Sequence, residues 1–292
     1  VSLSVLSSGG CLFPGFLPRP PFSFLMPSGF MQTPLVRDYM LPPLAEVQRP
    51  WGAPEAYIRP SAPFPYANSW GLAYTLLTPV MLACLLRLRS IWLRIALLIG
   101  MALSTVPAIA TSNRGMFIGL GISAAYVLLR QFLAANWRAV GMGVAAIVAV
   151  VVALFASGTV DNILGRQDYS DSTGGRAALY RATWKATLES PIIGYGTPRM
   201  EPSIGVSMGT QGYLWTLMFC FGFVGLALFA LFMVCTVASG ARVKTTPGYW
   251  LHSVPVACCV VFIFYSFDIA QLTILMLASM ACIRSIRDGE GL

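Results

Sequence analysis

Arg114, Arg176 and Arg181 carry guanidinium groups that can hold oxyanions through paired N–H donors, and Asp268 carries a carboxylate that can take a proton. Near them in sequence stand Asn113, Tyr180, Trp184 and Gln211, which supply amide and hydroxyl groups and flat rings. Arg176 is the most telling of these residues. It opens the polar stretch GGRAALYRATWKATLESPIIGYG between two strongly apolar segments, and a chain built for lipid rarely spends such a stretch on packing.

Composition dictates what must position these groups. With 57% hydrophobic residues, 10% charged residues and a mean hydropathy of +0.72, the chain exceeds what a soluble domain of 292 residues needs to fill its core. A spanning helix takes about 20 apolar residues. Seven segments meet that pattern: Asn68 to Leu86, Ile91 to Ala110, Gly115 to Leu129, Ala139 to Phe155, Gly212 to Cys235, Tyr249 to Phe267 and Ile269 to Ile283. The fold class expected is therefore all-α, a polytopic membrane protein of about seven transmembrane helices. Its plan is an external loop over 1–67, four spans over 68–156, a large external loop over 157–211, and three spans with a tail over 212–292. The last two spans meet around Asp268, either as a tight helical hairpin or as one span plus a re-entrant piece.

Orientation follows from the short connections. Arg87, Arg89 and Arg94, then Arg130 and Arg138, then Arg242 and Lys244, then Arg284 and Arg287 fall on one side, which the positive-inside bias makes cytoplasmic. The localisation expected is the cytoplasmic membrane, with the C-terminus inside and the long loops outside. About half of the basic residues are thus topology signals, and the net charge of +8 implies no nucleic-acid partner. Membrane lipids are the partner that this composition requires.

Residues 1 to 66 hold thirteen of the twenty prolines, which precludes a regular span there. The apolar VSLSVL before SSGG reads as the tail of an earlier helix in a longer parent; a cleaved signal peptide is the competing account, without the usual basic n-region. Six of the seven cysteines fall in spans and only Cys11 outside, so neither a disulfide framework nor a CxxC site is indicated. Arg166 sits among Asp161, Asp168 and Asp171, where a local ion pair is the simpler reading. The spacing lacks the glycine and glutamate of a calcium loop, and no metal site is expected.

From Gly174 to Ser190 the stretch is rich in helix formers and ends at Pro191, which reads as a surface helix. At i, i+4 spacing Arg176, Tyr180 and Trp184 share one face, and Arg181, Lys185 and Glu189 another. The competing account of the second face is a solvated amphipathic helix lying on the membrane. Arg114, in SNRG between the second and third spans, has two readings: an interfacial snorkelling residue, or a ligand-binding one that the positive-inside bias does not explain. The glycines of GYG, Gly209 and Gly212 lack a phosphate-loop pattern, and tight turns account for them.

Four pieces in order carry a resemblance: RPSAPFPYANSWGLAYTLLTP; SNRGMFIGL opening a span; GGRAALYRATWKATLESPIIGYG; and GTQGYLWTLMFCFGFVGLALF. The set resembles the O-antigen ligase and O-antigen polymerase superfamily of bacterial envelope glycan enzymes. In that pattern an Arg precedes the Pro of a PxxGxG-like turn by fifteen residues, as Arg176 precedes Pro191. A His lies eleven residues before the first Gly of a GxxG pair; the pair here is Gly222 and Gly225, and Gln211 occupies the His position.

The resemblance implies transfer of an oligosaccharide from a polyprenyl diphosphate carrier, the lipid-linked glycan donor, to an acceptor hydroxyl on a glycan or glycolipid outside the membrane. It implies neither a nucleotide sugar nor a metal cofactor. Arg114 and Arg176 would hold the diphosphate, and the Tyr180 and Trp184 face would suit its sugar. Arg181, Asn113 and Ser112 would lie near the headgroups. The base is the awkward part, because Gln211 cannot take a proton and the only histidine, His252, lies at the cytoplasmic start of the sixth span. Asp268 remains, as a base or as a tight-turn residue. A transporter or flippase for an envelope glycan or anion, using the same arginines as ligands, is the alternative from another class. A non-catalytic relative is the third reading.

Overall fold

The computed structural model describes residues 27, 29, 32, 33, 45–48, 57–61, 64, 66–111, 113–156, 172–202 and 205–287. Cys11, Ser112, Asp161, Arg166, Asp168 and Asp171 lie outside them, as do the side chains of residues 172–176, and with them the Arg176 guanidinium.

The described chain is mostly helical. A small antiparallel hairpin of β1 (Ala45–Gln48) and β2 (Tyr57–Pro60) comes first. Helices α1 (Ala67–Arg87), α2 (Ile91–Ala110), α3 (Arg114–Leu133) and α4 (Trp137–Ala156) follow. After them come α5 (Ser172–Glu189), a second hairpin of β3 (Arg199–Glu201) and β4 (Val206–Met208), and helices α6 (Tyr213–Gly240), α7 (Thr246–Val261) and α8 (Ile269–Arg287). Both hairpins fall in segments that the sequence reads as loops.

Among the described residues six helices, α1 to α4, α6 and α8, are long and apolar enough to cross a membrane. The sixth expected span departs from its sequence bounds. Hydropathy drew it from Tyr249 to Phe267, but α7 starts at Thr246 with a proline in its first turn, where the missing N–H costs nothing, and stops at Val261. Phe262 to Phe267 is apolar but not helical, because its carbonyls bond the start of α6. At 16 residues α7 is short for a span, and it is also the most enclosed helix. Leu251, Val254, Ala257, Cys258 and Val261 are all buried against α1, α3 and α8. The seven residues from Phe262 to Asp268 join α7 to α8 as a tight helical hairpin.

Hydrogen bonds sort the helix ends into two sets. Asn113 before α3 reaches Ala67 at the start of α1, and Tyr213 at the start of α6 reaches Tyr265 beyond α7. Gln271 at the start of α8 reaches Ser69. This is the motif end. At the other end Arg130 of α3 donates to the Val243 carbonyl between α6 and α7, and Gln131 donates to Thr246. The last turns of α1, α3 and α8 carry Arg87, Arg130, Arg284 and Arg287, which makes it the basic end.

A small residue lets the central helices meet. A Cβ on Gly119 of α3 would lie 2.5 Å from the Thr75 methyl of α1 and 3.1 Å from Val261 of α7. Close approach replaces the hydrophobic drive that helices lack inside lipid. At the periphery α4 buries no residue and is apolar all round, the pattern of a helix whose surroundings are lipid or apolar protein.

Gly119→Leu is expected to cost about 1–3 kcal/mol through overpacking, read as a lower melting temperature of the detergent-solubilised protein. Gly121→Leu, at a position facing open space, should leave that temperature unchanged.

Candidate active site at the motif end

Two polar candidates at the motif end, Asn113 and Tyr180, are held by contacts between distant elements. Asn113 precedes α3 and is buried; its amide nitrogen donates to the Ala67 carbonyl and the Asn68 side chain, each at 3.4 Å. Its amide oxygen accepts a short bond from the hydroxyl of Tyr265. One side chain thus ties the starts of α1 and α3 to the end of α7. Gly71 makes room for it, since a Cβ there would lie 2.3 Å from the Asn113 nitrogen. Gly115 does the same for the Tyr265 ring, at 2.6 Å. Arg114, half-buried between these two anchored positions, opens α3.

The start of α6 and the end of α7 satisfy each other. Tyr213 N–H donates to the Tyr265 carbonyl at 2.7 Å, Leu214 N–H to Phe262 at 3.0 Å and the Trp215 indole N–H to Ile263 at 3.0 Å. The first amides of a helix have no partner within it, and the carbonyls of the non-helical segment after α7 supply one. Gly212 allows the approach, because a Cβ there would fall 2.2 Å from the Ile263 carbonyl. The glycines here shape a backbone junction, as the tight-turn reading expects. Ser266 adds a bond from its hydroxyl to the Thr210 carbonyl at 2.6 Å, beside Gln211.

The backbone carbonyl of Gln211 accepts from the Tyr180 hydroxyl at 3.2 Å, while its side-chain amide bonds no described residue. Asp268 immediately precedes α8. Its N–H donates to Gln271 Oε1 at 3.0 Å, and the fully buried Gln271 donates in turn to the Ser69 carbonyl at 3.0 Å. A side chain in the first turn that reaches back to the amide before the helix is half of a capping box. The Asp268 side chain itself is exposed. Contacts therefore run from Asn113 through Tyr265, Ser266 and Thr210 to Gln211 and Tyr180. Arg114, Gln211 and Asp268 are gathered at this end.

Helix α5 sits differently from its sequence reading. Its packed side is Leu179, Thr183 and Thr187, each no more than 3% exposed, set against Met208, Phe219 and Cys220. Tyr180 and Trp184 flank that side and spend their rings on α6. Tyr180 stacks on Trp215 at 4.3 Å and 9°, and Trp184 meets Phe223 edge-on at 5.8 Å. Arg181 is exposed and its Nε donates to the Ala177 carbonyl within its own helix. Arg176 lies in the first turns of α5, with its side chain outside the described part.

After α5 the turn from Pro191 to Gly196 enters a break in α6. Gly222 adopts φ 67°, ψ −172° within that helix, a left-handed value that other residues reach only with strain. Three backbone bonds repair the break: Tyr195 N–H to the Phe219 carbonyl at 2.9 Å, Gly196 N–H to Cys220 at 2.8 Å, and Phe223 N–H to Pro191 at 2.7 Å. The turn thus supplies the partners that the helix ladder loses. Beyond it Arg199 lies over the Tyr195 ring at 4.4 Å, and the Tyr195 hydroxyl donates to Ala186 and Glu189. Desolvation first, and then the Glu189 carboxylate, push the Tyr195 phenol above its ordinary pKa, so it stays a donor.

His252 belongs to the basic end. Its Nε2 faces the Val237 carbonyl at 2.8 Å, which makes Nε2 the donor and Nδ1 the acceptor from Tyr126, whose hydroxyl accepts from Arg130 at 2.6 Å. It is 2% exposed, a satisfied core histidine rather than one at an interface. Tyr126 lies twelve residues, about 18 Å of helix, from Arg114.

Sequence reasoning missed Tyr265, Ser266 and Gly71. Tyr265 and Ser266 were absorbed in an apolar run, and the polar pair YS just before Asp268 was the one available signal.

In comparisons with known proteins, residues 99–230 match the family model described as O-antigen ligase. The match includes Arg114, α5, Gln211 and the Gly222–Gly225 pair, and stops before Asp268. No curated protein and no solved structure matches the chain.

Gly222→Ala forces a Cβ to 2.3 Å from the Ile192 carbonyl in a left-handed conformation. We expect about 1–3 kcal/mol of strain, seen as faster proteolysis between α5 and α6 in membranes. Unchanged proteolysis would contradict the docked turn.

Proposed function

We propose, from the premise that residues 99–230 carry an O-antigen ligase family domain, that this multi-pass membrane protein is a glycosyltransferase with a lipid-linked donor. It transfers an oligosaccharide or polysaccharide from a polyprenyl diphosphate carrier to an acceptor hydroxyl at the outer face of the cytoplasmic membrane. The observation that supports this most is the gathering of Arg114, Gln211 and Asp268 at the bundle end opposite the basic helix termini. Under the positive-inside bias that end faces outward.

In this reading Arg114 and Arg176 hold the diphosphate oxygens bidentately and stabilise the charge that grows on them. The bond from the anomeric carbon to the diphosphate oxygen breaks, and its electron pair leaves with the lipid diphosphate. The acceptor oxygen bonds that carbon, and its proton passes to the Asp268 carboxylate. Gln211 orients the acceptor with its amide. Asn113 and Tyr180 act as positioning residues, the first fixing the start of α3 and the second holding the Gln211 backbone. Arg181 serves the headgroup region, and Trp184 the wall on which the donor lies.

Arg114→Lys and Arg176→Lys should each lower transfer roughly 10²-fold with insertion intact, because a point charge cannot replace a fork on two oxygens. Turnover of lipid-linked glycan in membranes is the measurement, and normal transfer by either variant removes that arginine from the site.

Asp268→Asn keeps size and helix-start chemistry but removes proton affinity. A loss of roughly 10²-fold or more with donor binding retained is expected for a base. Gln211→His restores the family residue and separates two accounts. If Asp268→Asn is silent and Gln211→His raises activity, the base assignment to Asp268 fails. If no variant transfers glycan while donor still binds, the chain is a non-catalytic relative.

A further inference from the structure

The turn after α5 carries two aliphatic side chains with no cover: Ile192 is 67% exposed and Ile193 80%. Trp184 and Leu188, one turn apart on α5, lead into this tip, and Phe221 and Val224 of α6 stand exposed beside the break that receives it. These six residues form one apolar surface. It joins a loop segment to the outside of a spanning helix through the three backbone bonds at Gly222. Beside it on α5 runs a second exposed stripe, Arg181, Lys185 and Glu189, which is fully polar.

The depth of the tip follows from helix length. Past the break at Gly222, the uninterrupted part of α6 runs from Phe223 to Gly240 and rises about 27 Å at 1.5 Å per residue. That nearly fills a hydrocarbon core of about 30 Å. With the basic end of α6 at the inner boundary, the break falls at the outer hydrocarbon boundary. Backbone can leave a helix at that depth only where protein satisfies the freed groups. The Pro191–Gly196 turn does so, and must therefore be at that depth itself.

We propose that the C-terminal half of α5 and the Pro191–Gly196 turn form a re-entrant element in the outer leaflet, with Ile192 and Ile193 inserted among lipid acyl chains. The occupant of the apolar surface is bilayer lipid, because the surface continues the exposed wall of α6. The polar stripe keeps Arg181 and Lys185 at headgroup level, with their aliphatic stems along the boundary. The element thus anchors α5, and with it Arg176, at a set depth. This anchoring does not depend on the reaction assigned to the site.

The test uses the full chain in nanodiscs of phosphatidylethanolamine and phosphatidylglycerol, with a photoreactive residue introduced as Ile193→p-benzoylphenylalanine. Val148 of the exposed helix α4 is the position for a lipid-contact control, and Arg181 the position for a polar one. After irradiation, intact-protein mass spectrometry should detect a phospholipid adduct at position 193 at a yield within about twofold of position 148 and at least fivefold above position 181. Ile192→p-benzoylphenylalanine repeats the measurement should the first variant fail to accumulate. A yield at 193 as low as at 181 would mean that the tip stands in water and would overturn the proposal. A cross-link from 193 to another segment of the protein in place of lipid would overturn it as well.

Discussion

Every backbone amide and carbonyl in a bilayer needs a partner within the protein, and this chain meets the demand by exchanging bonds between interrupted helices. The carbonyls of Phe262 and Tyr265, just beyond α7, receive the first amides of α6, and the turn after α5 fills the ladder that Gly222 opens. Both junctions put an irregular backbone where helices alone would be expected. Both need glycine, Gly212 in the first and Gly194 with Gly222 in the second, because a Cβ at any of the three would lie within 2.5 Å of the opposing backbone. The arrangement of the motif end follows from them.

The first junction brings Tyr265, Ser266 and Asp268 to the level of Asn113 and Gln211. The short α7 is the means. By ending at Val261 it frees the six residues from Phe262 to Phe267 to bend across the start of α6, and its own burial against α1, α3 and α8 makes full spanning length unnecessary. The second junction sets the position of α5, whose threonine-rich side packs on α6 while Arg181 stays outside that contact. Thr183 and Thr187 are suited to such packing. The Thr187 hydroxyl bonds the carbonyl one turn back, which leaves methyl groups for the interface.

The two ends of the bundle use polar groups in opposite ways. At the basic end Arg130, Tyr126, His252 and the Val237 carbonyl form a closed series in which each donor has an acceptor, reinforced by Arg130 over the Tyr249 ring at 4.5 Å. A buried network of that kind holds helices in register. At the motif end the buried amides of Asn113 and Gln271 are equally satisfied, but Asp268 stays exposed and the Gln211 side chain bonds no described residue. Positioning groups are locked there and the reactive candidates are left accessible.

Apolar runs, helix-start signals and the order of the motifs are local properties, and the sequence by itself determined them. It marked the spans, set the basic residues on one side, and drew Arg114, Gln211 and Asp268 to the other. It also assigned the only histidine to the wrong side for the candidate site, and His252 is indeed at the basic end. Hydropathy could not tell that Phe262 to Phe267 is apolar without being helical, since that depends on amides fifty residues away. The i, i+4 spacing of Tyr180 and Trp184 does bring both rings to α6, while the Arg176 side chain lies outside the described residues. Which side of α5 would be packed was decided by the aromatic stripe of α6, which accepts Tyr180 and Trp184 at its edges. Likewise the glycines at 194, 212 and 222 announce tight backbone in sequence, but only the tertiary structure names the partner of each. The physical reason is that hydropathy and propensity act along the chain, whereas the backbone bonds that close a broken helix act between segments, and lipid offers no substitute for them.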